Sequence, residues 1–383
     1  MPHRRFEMKA SILSCAGIAI AMCSFNAMSA DAAPTKYKVP RLADGTPDLQ
    51  GVWTNSTATP FERSPALGTR RSYTADEVAK IEGTARARVE DDSKPSDPNA
   101  KIAAGALPPV GNYNQFWTDR GMQVAFIDGE KRTSMIIDPP NGRMPALTPQ
   151  ARQRRGDQNA ARAQAGRTAG TLGEAFTGPG GFPTGGTDES SEASGQSQIG
   201  RADGPEQRGL GERCIIGFGS TSGPPMLPTM YNSYYQIFQA PGYVVILVEM
   251  VHDARIIRLG GKRLPNSIKN WMGDSVGRWE GDTLVVETIG FRPEQSFRGT
   301  SANAVITERF TRVARDQINY RFTIDDPTTF TSKFTGELPF TGVKDSVYEY
   351  ACHEGNYGLP AILSGAREEE KRLAKEGAAT KKP

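Results

Sequence analysis

The sequence predicts a mainly β protein: an antiparallel β-barrel or sandwich with a few short helices and one long low-complexity loop. Three observations predict this class. From Tyr235 onward, short runs rich in β-branched and aromatic residues recur with turn residues between neighbours, the pattern of antiparallel sandwiches and barrels. Strands do not alternate with long helical patterns, which argues against a parallel α/β sheet. The run Tyr243–Val248, YVVILV, is apolar at both alternating positions. A strand there must be covered on both faces, as in a wrapped barrel wall or at the centre of a sandwich.

The chain opens with Arg4, Arg5 and Lys9, then an apolar run from Ala10 to Met22, then Ala30-Asp31-Ala32. A basic start, a short apolar middle and a small-x-small exit predict a secretory signal peptide over 1–32. The run falls short of the roughly 20 residues that span a bilayer. The alternatives are an uncleaved anchor and a lipoprotein at Cys23, although Met22 stands where such sites carry a small residue. The mature chain is then expected to be periplasmic or secreted, with no membrane attachment after cleavage. Its formal charge of +3 over 383 residues gives no reason to expect nucleic acid as a partner; the expected partner is a small molecule. Cys15 and Cys23 leave with the leader. Cys214 and Cys352 remain, an even pair in an oxidising compartment, and are expected to form a disulfide.

One β-rich domain is expected over 33–365, followed by a charged tail over 366–383 whose Glu368–Lys382 part reads as a short solvated helix or frayed end. Ala33–Asn55 reads as an extended arm entering a first strand at Leu49–Trp53, after turn signals at Asp44-Gly45 and Pro47-Asp48. Gly51-Val52-Trp53 matches the Gly-x-Trp of lipocalin-like barrels, a short pattern that chance also produces. Thr74 and Glu77 form a capping box ahead of Val78, Ile81 and Val89 at helical spacing. Met122–Asp128 and Thr133–Asp138 alternate around Gly129 and predict a hairpin. A helix is expected at Pro149–Ala165. Residues 152–211 are rich in Gly, Ala, Gln, Ser and Arg and nearly lack large apolar groups. Such a stretch buries too little to offset its ordering entropy, so it reads as a flexible insertion, with a lid over a site as the alternative. The remainder predicts strands at Tyr235–Gln239, Tyr243–Val251, Arg255–Leu259, Gly277–Trp279, Thr283–Thr288, Val305–Ala314, Gln317–Ile324, Phe330–Leu338 and Ser346–His353.

Only His252 and His353 survive removal of the leader, and both stand at expected strand ends beside carboxylates. Histidine carries protons near neutral pH, and a carboxylate partner sets its tautomer and basicity. The candidate catalytic residues are therefore His252, His353, Asp253 and Glu354, with Arg255, Tyr235, Asn356 and Tyr357 as candidate substrate-binding residues. In an extended strand His252 would share a face with Met250 and Val248, and His353 a face with Glu349. A second reading of the same groups is a divalent metal held by two imidazoles and a carboxylate. No spaced zinc motif is present, so no metal ligand is assigned and no cofactor is expected. A G-x-S-x-G elbow is also absent, which argues against the usual serine hydrolases. Three functions stay open: an enzyme of lyase, isomerase or hydrolase type acting on a small apolar or aromatic molecule, a lipocalin-like carrier of an apolar ligand, and an envelope structural protein.

Gly45-Thr46-Pro47-Asp48-Leu49-Gln50-Gly51-Val52-Trp53, His252-Asp253-Ala254-Arg255-Ile256-Ile257, Trp279-Glu280-Gly281-Asp282-Thr283-Leu284-Val285-Val286 and Tyr350-Ala351-Cys352-His353-Glu354-Gly355-Asn356-Tyr357-Gly358 together resemble a family of exported bacterial proteins. The resemblance spans nearly the whole mature chain apart from the low-complexity loop and the tail. It implies that the cysteine pair and both histidine segments belong to the shared pattern, and it implies no activity.

Overall fold

The computed structural model describes residues 37–94, 118–119, 121–157, 202, 204–217, 223–229, 231–294, 297 and 299–379. The expected signal peptide and most of the low-complexity insertion lie outside the described residues. Lys38 onward forms one compact unit.

The chain folds into a closed β-barrel. Its wall is β1 (Gly51–Thr54), β5 (Tyr234–Ala240), β6 (Tyr243–Val248), β7 (Ala254–Leu259), β8 (Asp274–Glu280), β9 (Thr283–Ile289), β10 (Val305–Ala314), β11 (Gln317–Asp325) and β12 (Phe334–Val343), closed by pairing of β1 with β12. Every neighbouring pair in this ring is antiparallel except β7–β8. Parity demands it: alternating directions cannot close a ring with an odd number of strands. The parallel contact is short, Arg258 with Val276 and Leu259 with Gly277. Outside the ring, β2 (Phe126–Ile127) pairs with β3 (Glu130–Lys131), and β4 (Ile136–Asp138) pairs with β12.

Period-two alternation fills the barrel. Tyr235 and Ile237, Val244, Ile246 and Val248, Ile306 and Phe310, Ile318, Tyr320, Phe322 and Ile324, and Leu338 and Phe340 are all buried. Rings occupy the centre. Tyr235 stacks on Phe340 at 5.2 Å, and Tyr320 lies 4.9 Å from Phe310 and 5.0 Å from Phe340. Trp53 packs from β1 with its indole N–H donating to the Leu49 carbonyl at 3.1 Å.

The helices lie outside. α1 (Ala75–Asp92) starts at the expected capping box, with Thr74 and Glu77 each bonding the other's backbone. α2 is described over 149–157. α3 (Gly358–Ala379) is longer than the expected tail helix and begins inside the expected β-rich domain. The Asn356 side chain accepts from Leu359 N at 3.2 Å, and ion pairs such as Arg372 with Glu369 and Glu376 line its surface. Among the described residues no helix is long and apolar enough to cross a membrane.

Three expectations change. The strand expected at Tyr243–Val251 stops at Val248. Residues 250–252 form a 3-10 turn, which places Met250 and Val251 in the barrel end as buried groups. His252 therefore does not share a strand face with Met250. Ser346–His353 is not a strand; β12 is paired on one edge by β11 and on the other by β1 and β4. The hairpin expected at Met122–Asp138 shortens to β2 and β3 around Asp128-Gly129, both at positive φ, while β4 pairs with β12 outside the ring instead.

Candidate functional site at the barrel mouth

Thr54, Tyr234, Val248 and Ala254 mark one end of the barrel, since Thr54 pairs with Tyr234, Tyr235 with Val248 and Leu247 with Ala254. The turn 249–253 closes that end. Its backbone is anchored by Glu249 N to the Tyr234 carbonyl at 3.0 Å, His252 N to the Glu249 carbonyl at 3.1 Å and Val248 N to the Asp253 carbonyl at 2.8 Å. Packing Met250 and Val251 inward forces an unusual path. Val251 has φ 62° and His252 φ 47°, a region that a β-branched residue adopts only under constraint.

The chain after β12 returns to this end. His252 Nδ1 lies 2.9 Å from the Tyr350 carbonyl oxygen. A carbonyl only accepts, so Nδ1 carries the hydrogen, and in the neutral ring Nε2 is the basic nitrogen. Two residues on, Cys352 is bonded to Cys214, the expected disulfide. Tyr350 and Cys352 both pack against the hydrophobic core. The Asn356 amide reinforces the staple by donating to the Glu212 carbonyl at 2.7 Å. His353, Glu354 and Tyr357 are exposed on the pinned segment that leads into α3, Tyr357 at 81%. The fold thus brings the two histidine segments together at Tyr350. Asp253 is half-buried and lends its carbonyl to β6.

Arg255 and Tyr235 lie in the barrel interior. The Arg255 guanidinium meets the Glu308 carboxylate through two hydrogen bonds, 3.0 and 2.6 Å. Tyr320 donates its hydroxyl hydrogen to Glu308 at 2.8 Å and accepts from Met226 N at 2.9 Å. Asn55 donates to the Tyr235 hydroxyl and to the Met226 carbonyl, each at 3.1 Å. Burial holds the Tyr320 and Tyr235 phenols above their ordinary range.

Residue-type reasoning missed Glu249, Glu308 and Tyr350. Glu308 carries a readable signal: it alternates with Ile306 and Phe310 on the apolar face of its strand. Glu249 is 3% exposed, and burial raises its carboxyl above the ordinary range. Hydrogen bonds from Asn232 and from the Tyr234 and Tyr348 backbones oppose that rise, while the Asp119 charge adds to it. Oε2 of Glu249 is buried with no hydrogen-bond partner among the described residues. Tyrosines line the same end: burial pushes Tyr231 up to about 12 and also raises Tyr234 and Tyr350. Among the described residues no three His, Cys, Asp or Glu side chains converge as a metal-binding group. No protein-family model matches the chain, and no curated protein matches it.

Proposed function

We propose that the protein is an enzyme acting outside the cytoplasm on a small apolar or aromatic molecule, by non-redox proton transfer at the barrel mouth, with His252 Nε2 as the base. One observation carries the reading: the Tyr350 carbonyl sits 2.9 Å from His252 Nδ1. A ring held through one nitrogen presents the other in a defined tautomer and direction, which is what a general base requires. The strained backbone at Val251 and His252 supports it, because such strain persists where the surrounding structure holds a side chain in place. Glu249 is the second proton-carrying group at this end. Its raised pKa moves it toward the pH at which a carboxyl both gives and takes protons. His353 and Glu354, on the disulfide-pinned segment, and Asp253 complete the set of groups available to orient substrate. The basic, apolar and small-residue zones of the first 32 residues, together with the disulfide, support export.

The closed barrel is also compatible with a lipocalin-like binding protein. Its ligand would then lie outside the ring cluster of Tyr235, Phe310, Tyr320 and Phe340, which occupies the centre.

The test is a turnover screen of the full mature chain against aryl esters, aryl-substituted lactones and β-hydroxy acids, repeated with His252→Asn and with the His252→Asn/His353→Asn double variant. Asparagine tolerates the positive φ at this position, so the fold is kept while the base is removed. Loss of about two orders of magnitude in kcat/KM for His252→Asn is expected. Turnover that survives the double replacement, or no turnover of any class, overturns the enzyme reading.

A further inference from the structure

The seam between β7 and β8 starts from the barrel mouth at Ala254 and is only partly paired. Strands β7 and β8 pair only at Arg258–Val276 and Leu259–Gly277. Toward Ala254 and Asp274 the two strands run on without pairing, and a cleft of about 330 Å³ opens there. It is lined by Ala254, Arg255, Ile256 and Arg258 on one wall and by 270–275 on the other.

Each wall has a definite chemistry. Val248 N bonds the Asp253 carbonyl and Leu259 N bonds the Gly242 carbonyl, so the odd residues of β7 turn their peptide groups toward β6. By alternation, the N–H and C=O of Ala254 and Ile256 face the cleft, a strand edge that β8 does not satisfy. Ile256 is 58% exposed, and Trp271 and Met272 complete an apolar lining. Arg292 covers the Trp271 ring at 4.2 Å.

Positive charge is in excess on the crossover. Residues 260–273 carry Lys262, Arg263 and Lys269 and no Asp or Glu; Arg263 is paired with Glu287 at 2.6 Å, which leaves Lys262 and Lys269 as the surplus charge. The acid in the lining, Asp274, is already engaged by Arg258, by Leu264 N at 3.0 Å and by Arg263 at 3.9 Å. Arg255 borders the cleft by its place in β7, while its guanidinium is committed to Glu308 in the barrel interior.

We propose that this cleft binds a small planar aromatic anion, an aryl carboxylate or a close relative. The flat apolar body would lie against Ile256, Trp271 and Met272. The anionic end would meet the strand-edge N–H groups and the surplus positive charge. The volume falls within the usual range for small-molecule sites, and the tapered gap between two strands suits a flat molecule.

The test is calorimetric titration of the full mature chain with 2-naphthoate and, as the cation of matching shape, 2-naphthylmethylamine. Saturable one-to-one binding of naphthoate is expected, with the amine weaker by about tenfold or more. Ile256→Glu should weaken naphthoate by about tenfold or more, whereas Met122→Glu, an exposed apolar position outside the cleft lining, should leave it unchanged. The double variant Lys262→Glu/Lys269→Glu should weaken naphthoate without touching the lining, which separates loss of charge from any fault in folding. No saturable binding to the parent chain, equal binding of the amine, or parental binding by Ile256→Glu would each overturn the proposal. None of these outcomes bears on His252.

Discussion

Arg255 and Glu308 face each other across the barrel interior with two hydrogen bonds, at 1% and 0% side-chain exposure. The charges reach this depth because each strand's inward period puts them there, β7 through Arg255 and Ile257 and β10 through Ile306, Glu308 and Phe310. Removing one partner strands the other in a medium that cannot solvate it. Glu308→Ala should cost about 3–5 kcal/mol, whereas replacing both partners by apolar groups of similar volume should cost far less. Urea unfolding of the two variants checks the pair. Equal losses would show that packing, and not the buried charge, dominates.

Glu249 predicts a pH dependence of stability. Burial holds its pKa in the folded protein above the ordinary carboxyl value of 4.5, so between those two values the folded state holds more of this proton than the unfolded state does. The stability that this group contributes is complete below 4.5 and falls away as pH rises through the folded value. Glu249→Gln should therefore gain stability relative to the parent at pH 7 and not at pH 4, measured by thermal unfolding across that range. A difference independent of pH would show that the carboxyl is not the titrating group.

The disulfide spans 138 residues of sequence. In the chain-entropy account a closed loop of that length contributes up to about 5 kcal/mol, acting mainly on the unfolded chain. The Cys214→Ala/Cys352→Ala protein should lose about 2–5 kcal/mol in guanidinium unfolding. It should also show faster amide exchange at 345–357, where the staple holds Tyr350 against His252.

Gly336 is required by a neighbour and not by its own backbone. A Cβ there would stand 2.3 Å from the Phe322 ring, which is fully buried. Gly336→Ala should destabilise the barrel by about 1–3 kcal/mol through overpacking. In the same unfolding assay, Gly242→Ala should not clash, since nothing lies within 4 Å of a Cβ there, and it should show only the cost of its φ of 79°.

Much of the barrel is legible locally. The β5–β6, β8–β9 and β10–β11 hairpins follow from strand-forming runs flanking Pro241-Gly242, Gly281-Asp282 and Arg315-Asp316, because neighbouring antiparallel strands need only a short turn. The α1 capping box and the Cys214–Cys352 pair are equally local or arithmetical. The mouth is less legible. His252 can be picked out as one of three histidines, yet the Tyr350 carbonyl that holds it lies 98 residues away, and no local pattern couples them.

The sequence by itself determined that the protein is mainly β, where most of its strands lie, and that Cys214 and Cys352 can pair. These follow from side-chain period and composition, which each segment carries alone. Only the tertiary structure decided that the sheet closes as an odd ring with one parallel seam, that Tyr243–Val248 ends early so Met250 and Val251 can plug the mouth, and that Arg255 pairs with Glu308 in the interior. Closure gives β12 partners on both edges, β11 on one and β1 with β4 on the other, and Ser346–His353 runs outside the sheet. Which charges face one another depends on the register between strands that are distant in the chain.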